Sequence, residues 1–200
     1  MFERLFGGRT VDPAIADRIP PGQYRTEKFP VLHYGSVPKV DLATWDFRAW
    51  GEVDNPFTLT WEQFKELPRK QVHTDIHCVT RWSKLDTTWD GVPIQAILEL
   101  AQVRPSATHV VSHAEQGYTA NLPRAILDDD DVLLADTFDG QALEPEHGYP
   151  LRLLVPKRYF WKSSKWVRGL EFLDHDQLGS WERYGSIYDA DPWKEERFSD

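Results

Sequence analysis

Apolar and polar residues alternate in several short runs of the chain, which is the pattern of half-buried β-strands. The alternation is regular in residues 44–53, where Trp45, Phe47 and Ala49 fall on one face, and again in residues 70–79. Further strands are predicted up to about His113, after the acidic run at residues 128–131, and near residues 151–155 and 165–173. Strands therefore dominate the predicted structure.

Two short helices are predicted between these strands. Thr60 stands three residues before Gln63, which is the spacing of a capping box at a helix start, and Pro68 follows the predicted end. A second helix is predicted from about Pro93 to Ala101, after a turn at Asp90-Gly91. The absence of a repeating strand–helix rhythm indicates an α+β fold, mostly β, with mixed sheets and short helices.

The spacing of prolines and the length suggest one domain with two arms. We expect an N-terminal arm over residues 1–30, a central domain over residues 31–175, and a C-terminal extension over residues 176–200 that packs on the domain. The formal net charge is −9, which argues against nucleic acid as a partner.

A single cysteine excludes an internal disulfide. No apolar stretch approaches the roughly 20 residues that span a bilayer. The first residues show neither the long apolar core of a signal peptide nor a twin-arginine pair. We therefore expect a cytoplasmic protein that does not associate with a membrane.

The lone cysteine, Cys78, lies at or near the end of the strand predicted over residues 70–79. Free cysteines are among the most buried residues, so a buried thiol is one interpretation. A nucleophile paired with His77 or His113 is a second interpretation. A thiolate ligand of a soft metal is the third, because the neighbouring Arg81 and His77 favour a thiolate.

A basic segment stands out against the acidic background of the chain. It contains Lys157, Arg158, Lys162, Lys165 and Arg168, together with the hydroxyls and amides of Ser163 and Ser164. Such a cluster is suited to hold a phosphate or another compact anion. Lysines on a solvated strand edge are the alternative interpretation.

Several motifs together resemble the sulfite-oxidase-type molybdopterin oxidoreductases. The motifs are CVTRWS, WDGVPI, GYTANLP and HGYPLRLLVPKRYFWKSSKWVRGLEFL, and the resemblance runs from about Val31 to Leu173. It is strongest to the small bacterial members, which include the catalytic subunit of the molybdenum-dependent methionine sulfoxide reductase. The resemblance implies a largely β fold that buries a pyranopterin, with Cys78 as the single protein ligand to molybdenum.

The same resemblance implies roles for residues around the cofactor. Ser163, Ser164 and Lys165 are implied to grip the terminal phosphate of the pterin. Five further cofactor contacts are implied, at Arg152, His147 and His113 and at His33 and Tyr34 of the LHYG segment. Arg81 and Tyr118 are hypothesised to act near the metal, by stabilising charge and by donating a hydrogen bond respectively.

The resemblance implies an enzyme that carries out two-electron oxygen-atom transfer on a small substrate, with an unidentified electron-transfer partner. A sulfur-containing molecule is one candidate substrate. Val79, Thr80, Arg81 and Trp82 depart from the sequence that follows the cysteine in sulfite oxidases, so sulfite itself is a doubtful substrate. A cysteine-dependent hydrolase and a non-catalytic anion-binding or cofactor-binding module remain the alternatives.

Overall fold

The structure is a computed structural model that describes residues 12–33, 35–187 and 189–198. The described residues form eleven strands, two α-helices and several single turns of 3-10 helix. Within these residues no helix is long and apolar enough to cross a membrane. The predicted α+β class with mostly β structure is confirmed.

The strands form two sheets. In chain order the strands and helices are β1 Tyr24–Arg25, β2 Asp46–Gly51, β3 Phe57–Thr60, α1 Trp61–Lys65, β4 Lys70–His77, β5 Trp82–Pro93, α2 Ile94–Ala101, β6 His109–Ala114, β7 Thr119–Pro123, β8 Leu133–Phe138, β9 Gln141–Ala142, β10 Arg152–Leu154 and β11 Val167–Leu173. The first sheet has the order β1-β5-β8-β10, with β4 also paired to β5 and β9 to β8. The second has the order β3-β2-β11-β6-β7. Both are mixed, because β1 runs parallel to β5 and β11 runs parallel to β2.

The capping box predicted from the sequence is present at the start of α1. The Thr60 hydroxyl accepts from the Gln63 amide, and the Gln63 side chain accepts from the Thr60 amide. These bonds satisfy donors that the first helical turn otherwise leaves free. The second helix begins after Pro93, as expected, and ends at Ala101.

The turn predicted at Asp90-Gly91 is wrong. Both residues lie inside the long strand β5, where the pairing with β8 changes register. A Cβ at position 91 would lie 2.2 Å from the carbonyl oxygen of Leu134, so the glycine permits close contact between neighbouring strands. A glycine that marks close packing resembles one that marks a turn when only local sequence is considered.

The first sheet is buried on both faces. One face packs with α1, α2 and the second sheet in the main core, to which β10 contributes Leu153. The opposite face carries a second apolar cluster that includes Cys78, Trp82, Trp89 and Leu154. Because side chains alternate along a strand, Arg152 shares this second face with Leu154. The fold therefore brings Cys78 and Arg152 to the same side of one sheet.

A buried ion pair between Lys162 and Glu182 joins the C-terminal extension to the rest of the protein. The Lys162 ammonium donates to the Glu182 carboxylate and to both the backbone and side-chain oxygens of Asn121. The two charged side chains are 0% and 1% exposed. Removing one member of such a pair leaves the other charge buried without compensation.

We therefore expect Lys162→Met to lower the free energy of unfolding by about 3–5 kcal/mol. Chemical denaturation followed by tryptophan fluorescence measures the change. The double variant Lys162→Met/Glu182→Leu should recover much of the loss, because it leaves no lone buried charge. Lys157→Met, which removes a largely exposed lysine, is the control. An equal loss in this control would contradict a special contribution of the buried pair.

Candidate active site

Cys78 lies immediately after the end of β4, in the turn that leads to β5. The turn is closed by hydrogen bonds from the Cys78 amide to the Trp82 carbonyl (2.9 Å) and from the Arg81 amide to the Cys78 carbonyl (2.9 Å). Arg81 has a φ of 78°, which a tight reversal of this kind requires. The predicted position of Cys78 at or near a strand end is confirmed.

The thiol of Cys78 is 7% exposed and contacts the Thr80 hydroxyl at 3.2 Å. Burial raises the pKa of this thiol, while Thr80 and the positive charge of Arg197 act in the opposite direction. Metal binding would supply the stabilisation of the thiolate that the buried site lacks, with release of the proton.

Arg152 is a buried cation that meets no carboxylate among the described residues. Its guanidinium donates to the carbonyls of His147 and Ser163, both at 2.8 Å, and its Nε is buried without a partner. The rings of Phe160, Trp89 and Phe29 surround it at 4.2, 5.5 and 6.0 Å from the guanidinium carbon. Burial lowers the pKa of Arg152 to about 9. A bound anion would remove much of this penalty.

The loop before β11 lies beside Arg152. Ser163 accepts from the Val155 amide, and the Ser164 hydroxyl contacts the Ser112 hydroxyl at 2.6 Å. Both hydroxyls are thus engaged within the protein. No described residue accepts a hydrogen bond from the amide of Ser164 or Lys165. The loop therefore offers backbone N–H groups, rather than free hydroxyls, to an anion.

Lys165 is the second cation of this region. Its ammonium donates to the Glu146 carbonyl at 2.7 Å, and burial, with Arg152 nearby, lowers its pKa to about 7. Gly148 has a φ of 118°, and a Cβ there would lie 3.1 Å from that of Arg152 and 3.3 Å from that of Lys165. The glycine thus lets the HGYP segment pack against both cations.

Two of the predicted histidines lie near these cations. His147 stacks on Phe29 with ring centroids 4.0 Å apart, and its carbonyl accepts from Arg152. His33 is exposed and packs edge-on against Trp166 at 5.9 Å. Tyr34, also predicted to contact the cofactor, lies outside the described residues.

The other predicted residues are placed differently. His113 bonds to Glu171 at 2.9 Å, and the neighbouring Ser112 makes the contact with the loop before β11. The Tyr118 hydroxyl donates to the Trp161 carbonyl at 2.9 Å, and burial raises its pKa. The side chain of Arg81 is exposed and lies near Gly22.

Sequence reasoning missed three residues around the Cys78 turn. Gln23 donates to the Cys78 carbonyl at 3.1 Å, and Arg197 donates to the Val79 carbonyl. Tyr159 lies under the Arg197 guanidinium at 4.8 Å. Arg197 follows Val79 by 118 positions, so no local motif joins them. Only the fold shows that the positive charge of Arg197 lies close enough to Cys78 to favour its thiolate.

Two surface cavities of about 240 and 450 Å³ lie elsewhere, around the ion pairs of Arg18 with Asp75 and Asp86. Each of these charges is compensated by its partner. By contrast, the buried charge of Arg152 has no acidic partner among the described residues. The Cys78 and Arg152 face of the first sheet is therefore the candidate functional site.

Comparison with known proteins identifies the family of the chain. A family model described as the oxidoreductase molybdopterin binding domain matches residues 34–181, more than half of the chain. The chain belongs to this family. It is therefore an oxidoreductase of the sulfite-oxidase type, and molybdopterin is its cofactor. The resemblance inferred from the motifs is confirmed.

Two members of the molybdopterin-binding family illustrate the relationship. The chain is 45% identical over 199 residues to the protein named uncharacterized oxidoreductase YuiH of Bacillus subtilis (strain 168), covering 98% of this chain and 99% of that protein. It is 28% identical over 215 residues to the protein-methionine-sulfoxide reductase catalytic subunit MsrP of Gluconobacter oxydans (strain 621H), covering 86% and 68%.

The sulfane dehydrogenase SoxCD of Paracoccus pantotrophus has a similar fold. Its crystal structure matches with a TM-score of 0.69 and 23% identity, over 78% of this chain and 44% of that chain. The match confirms the predicted sulfite-oxidase-type fold for this member of the molybdopterin-binding family. The chain spans less than half of the length of SoxCD.

The lowered pKa of Lys165 predicts a pH-dependent stability in the cofactor-free protein. Its folded pKa of about 7 lies below the unfolded value of about 10.4, so the penalty is complete below pH 7 and fades as the pH rises towards 10. Lys165→Met should therefore be more stable than the parent protein at pH 6, by about 1 kcal/mol or more, and lose this advantage by pH 10.

Urea denaturation at a series of pH values measures this difference. Lys28→Met, a change at an exposed lysine, is the matched control. An advantage of Lys165→Met that stayed constant from pH 6 to pH 10 would show that the charge of Lys165 does not destabilise the folded protein.

Proposed function

We propose that the enzyme catalyses two-electron oxygen-atom transfer on a small substrate, with Cys78 as the protein ligand of molybdenum. The observation that supports the proposal is the placement of the only cysteine and an uncompensated guanidinium, that of Arg152, on one buried face. A molybdopterin has a metal at one end and a phosphate at the other, so it requires a soft ligand and an anion site.

The described residues fit the phosphate end of such a cofactor. Arg152 Nε is buried without a partner, and the charges of Arg152 and Lys165 both lie in surroundings that disfavour them. The amides of Ser164 and Lys165 add donors that no described residue uses. A phosphate placed here would favour the protonated form of Lys165 and would accept a hydrogen bond from the free Nε of Arg152.

The residues at the metal end would act mainly by position. The bound cofactor would supply the redox and oxygen-transfer chemistry. The tight turn would orient the Cys78 sulfur, and its hydrogen bonds to Trp82 and Arg81 would limit movement. Trp82 packs in the same apolar cluster and would help to exclude water from the site.

The substrate class that we propose is a small molecule that contains sulfur. The names of two relatives refer to methionine sulfoxide and to sulfane, which supports sulfur as the atom at which oxygen is transferred. A two-electron reaction also requires a redox partner, and we propose a separate electron-transfer protein of unidentified type. Arg81 and Tyr118 remain hypotheses for charge stabilisation and hydrogen bonding near the metal.

The arrangement of the histidines does not favour a cysteine-dependent hydrolase. His77 bonds through Nδ1 to Ser83 at 2.8 Å, and His113 bonds to Glu171. Among the described residues, no histidine nitrogen forms a hydrogen bond with the Cys78 sulfur. A neutral thiol whose pKa is raised by burial is a poor nucleophile.

The proposal is tested by expressing the parent protein and Cys78→Ser in a host that makes the molybdenum cofactor. Molybdenum is measured by elemental analysis, pterin by fluorescence after release, and the metal–thiolate bond by visible absorbance. We expect one molybdenum per parent chain and loss of the thiolate bands in Cys78→Ser. An unchanged metal content and spectrum in Cys78→Ser would refute the ligand assignment.

Arg152→Met tests the other end of the site. We expect the pterin affinity to fall about 10-fold to 100-fold, because a hydrogen bond to a charged group contributes about 1.5–3 kcal/mol. Arg183→Met, which removes an exposed arginine, is the control. A thermal melt of each variant separates lost binding from lost folding. Full pterin retention in Arg152→Met would contradict the phosphate assignment.

A further inference from the structure

The Cys78 turn brings Thr80 into contact with the sulfur of the only cysteine. The Thr80 hydroxyl lies 3.2 Å from Cys78 Sγ, within the range of a hydrogen bond to sulfur. The sulfur also meets the backbone N–H of Thr80. Burial raises the pKa of the Cys78 thiol, whereas these two contacts with Thr80 act to lower that pKa, so both contacts favour the thiolate.

This contact follows from the conformation of the turn. The Cys78 carbonyl accepts a hydrogen bond from the Arg81 amide, which makes a β-turn with Val79 and Thr80 at its centre. In such a turn the side chain of the first residue can bond to the amide two residues on, as Asn and Asp side chains do. Here the sulfur of Cys78 takes that place. The β-branched side chain of Thr80 has few rotamers, so its hydroxyl is held beside the sulfur as well.

The hydroxyl of Thr80 has no other role within the described part of the chain. Thr80 is exposed, and Cys78 Sγ is the one hydrogen-bond partner of its hydroxyl among these residues. By contrast, the hydroxyl of Ser83, at the start of β5, is buried and bonded to His77 at 2.8 Å. An exposed hydroxyl contributes little to a core, so the stability of the fold does not account for this contact.

The direction of the hydrogen bond depends on the state of the sulfur. In the neutral thiol, either the S–H group or the hydroxyl can donate. A thiolate that binds a metal has no proton, so the hydroxyl must then donate to the sulfur. Such a bond withdraws electron density from the ligating sulfur, and hydrogen bonds to sulfur are among the features that set the reduction potential of metal–thiolate centres.

We propose that Thr80 is a positioning residue for the sulfur ligand: its hydroxyl and amide donate hydrogen bonds to the Cys78 thiolate and raise the reduction potential of the metal centre. The inference rests on the proposed function, because it takes Cys78 as the ligand of molybdenum. It assigns to the second residue after the cysteine a control over how readily the centre accepts electrons.

Two variants of Thr80 test the role of its hydroxyl in the loaded protein. Thr80→Val removes the hydroxyl and keeps the size of the side chain, whereas Thr80→Ser keeps the hydroxyl. In Thr80→Val we expect the thiolate absorbance band to move to longer wavelength and the reduction potential to fall, because the sulfur is more electron-rich. A redox titration followed by electron paramagnetic resonance measures the potential. Thr80→Ser should match the parent protein in both measurements.

The cofactor-free protein tests the contact without the metal. The rate of alkylation by iodoacetamide at one fixed pH reports on Cys78 alone, since the chain has no other cysteine. We expect alkylation of Thr80→Val to be at least about threefold slower, because the loss of thiolate outweighs the greater nucleophilicity of each remaining thiolate. Thr80→Ser should react like the parent protein. Thr58→Val, at an exposed threonine of β3, is the matched control and should change nothing.

Three results would overturn the role of Thr80. One is a Thr80→Val protein whose absorbance band, potential and alkylation rate equal those of the parent protein. Another is slower alkylation without any change at the metal, which would show that the hydrogen bond does not affect the ligand. The third is a change in Thr80→Val that Thr80→Ser shares, because the hydroxyl would then not be its cause.

Failure of the proposed function gives a different result. The parent protein itself would then lack the thiolate absorbance band, and the role of Thr80 at the metal would fall with the ligand assignment. The alkylation rates would still show the contact between the Thr80 hydroxyl and the Cys78 sulfur, because they are measured without the cofactor.

Discussion

The site depends on a buried guanidinium that the protein does not neutralise. Arg152 is 2% exposed and is surrounded by aromatic rings and backbone carbonyls. Carbonyl dipoles solvate the cation only in part, so the folded protein retains an unfavourable charge. A bound anion would complete the site, and we propose that the phosphate of the molybdopterin is this anion. Binding energy and folding energy are therefore coupled at this residue.

The two-faced first sheet makes this arrangement possible. Leu153 faces the main core while Arg152 and Leu154 face the second cluster, so the strand is anchored by apolar packing on one side. The guanidinium of Arg152 is thus carried by a strand that is packed in a rigid sheet, rather than by a loop. The turn with Cys78 leaves the same sheet, which fixes its position relative to Arg152 through strand pairing instead of through direct contact.

The sequence predictions were accurate for features set by neighbouring residues and failed for features set by residues far apart in the chain. The capping box at Thr60 and Gln63 was predicted correctly because all its atoms lie within four residues. The prediction of a turn at Asp90-Gly91 was wrong, because Gly91 is required instead by the close approach of the Leu134 backbone on another strand. The position of Cys78 near a strand end was predicted from alternation, but its contact with Arg197 was not, since that contact depends on the path of the whole chain.

The distribution of charge in three dimensions explains how an acidic chain can carry a cationic site. The net charge of −9 describes mainly the surface, where carboxylates are solvated and screened. Arg152 and Arg197 are buried and Lys165 is partly buried, and burial strengthens the interaction of these cations with any charge that enters. Arg152 and Lys165 lie together, whereas Arg197 belongs to the C-terminal extension and lies at the Cys78 turn. An acidic protein can thus hold an anion wherever its cations are shielded from the surface carboxylates, because the interaction between charges strengthens as water is excluded.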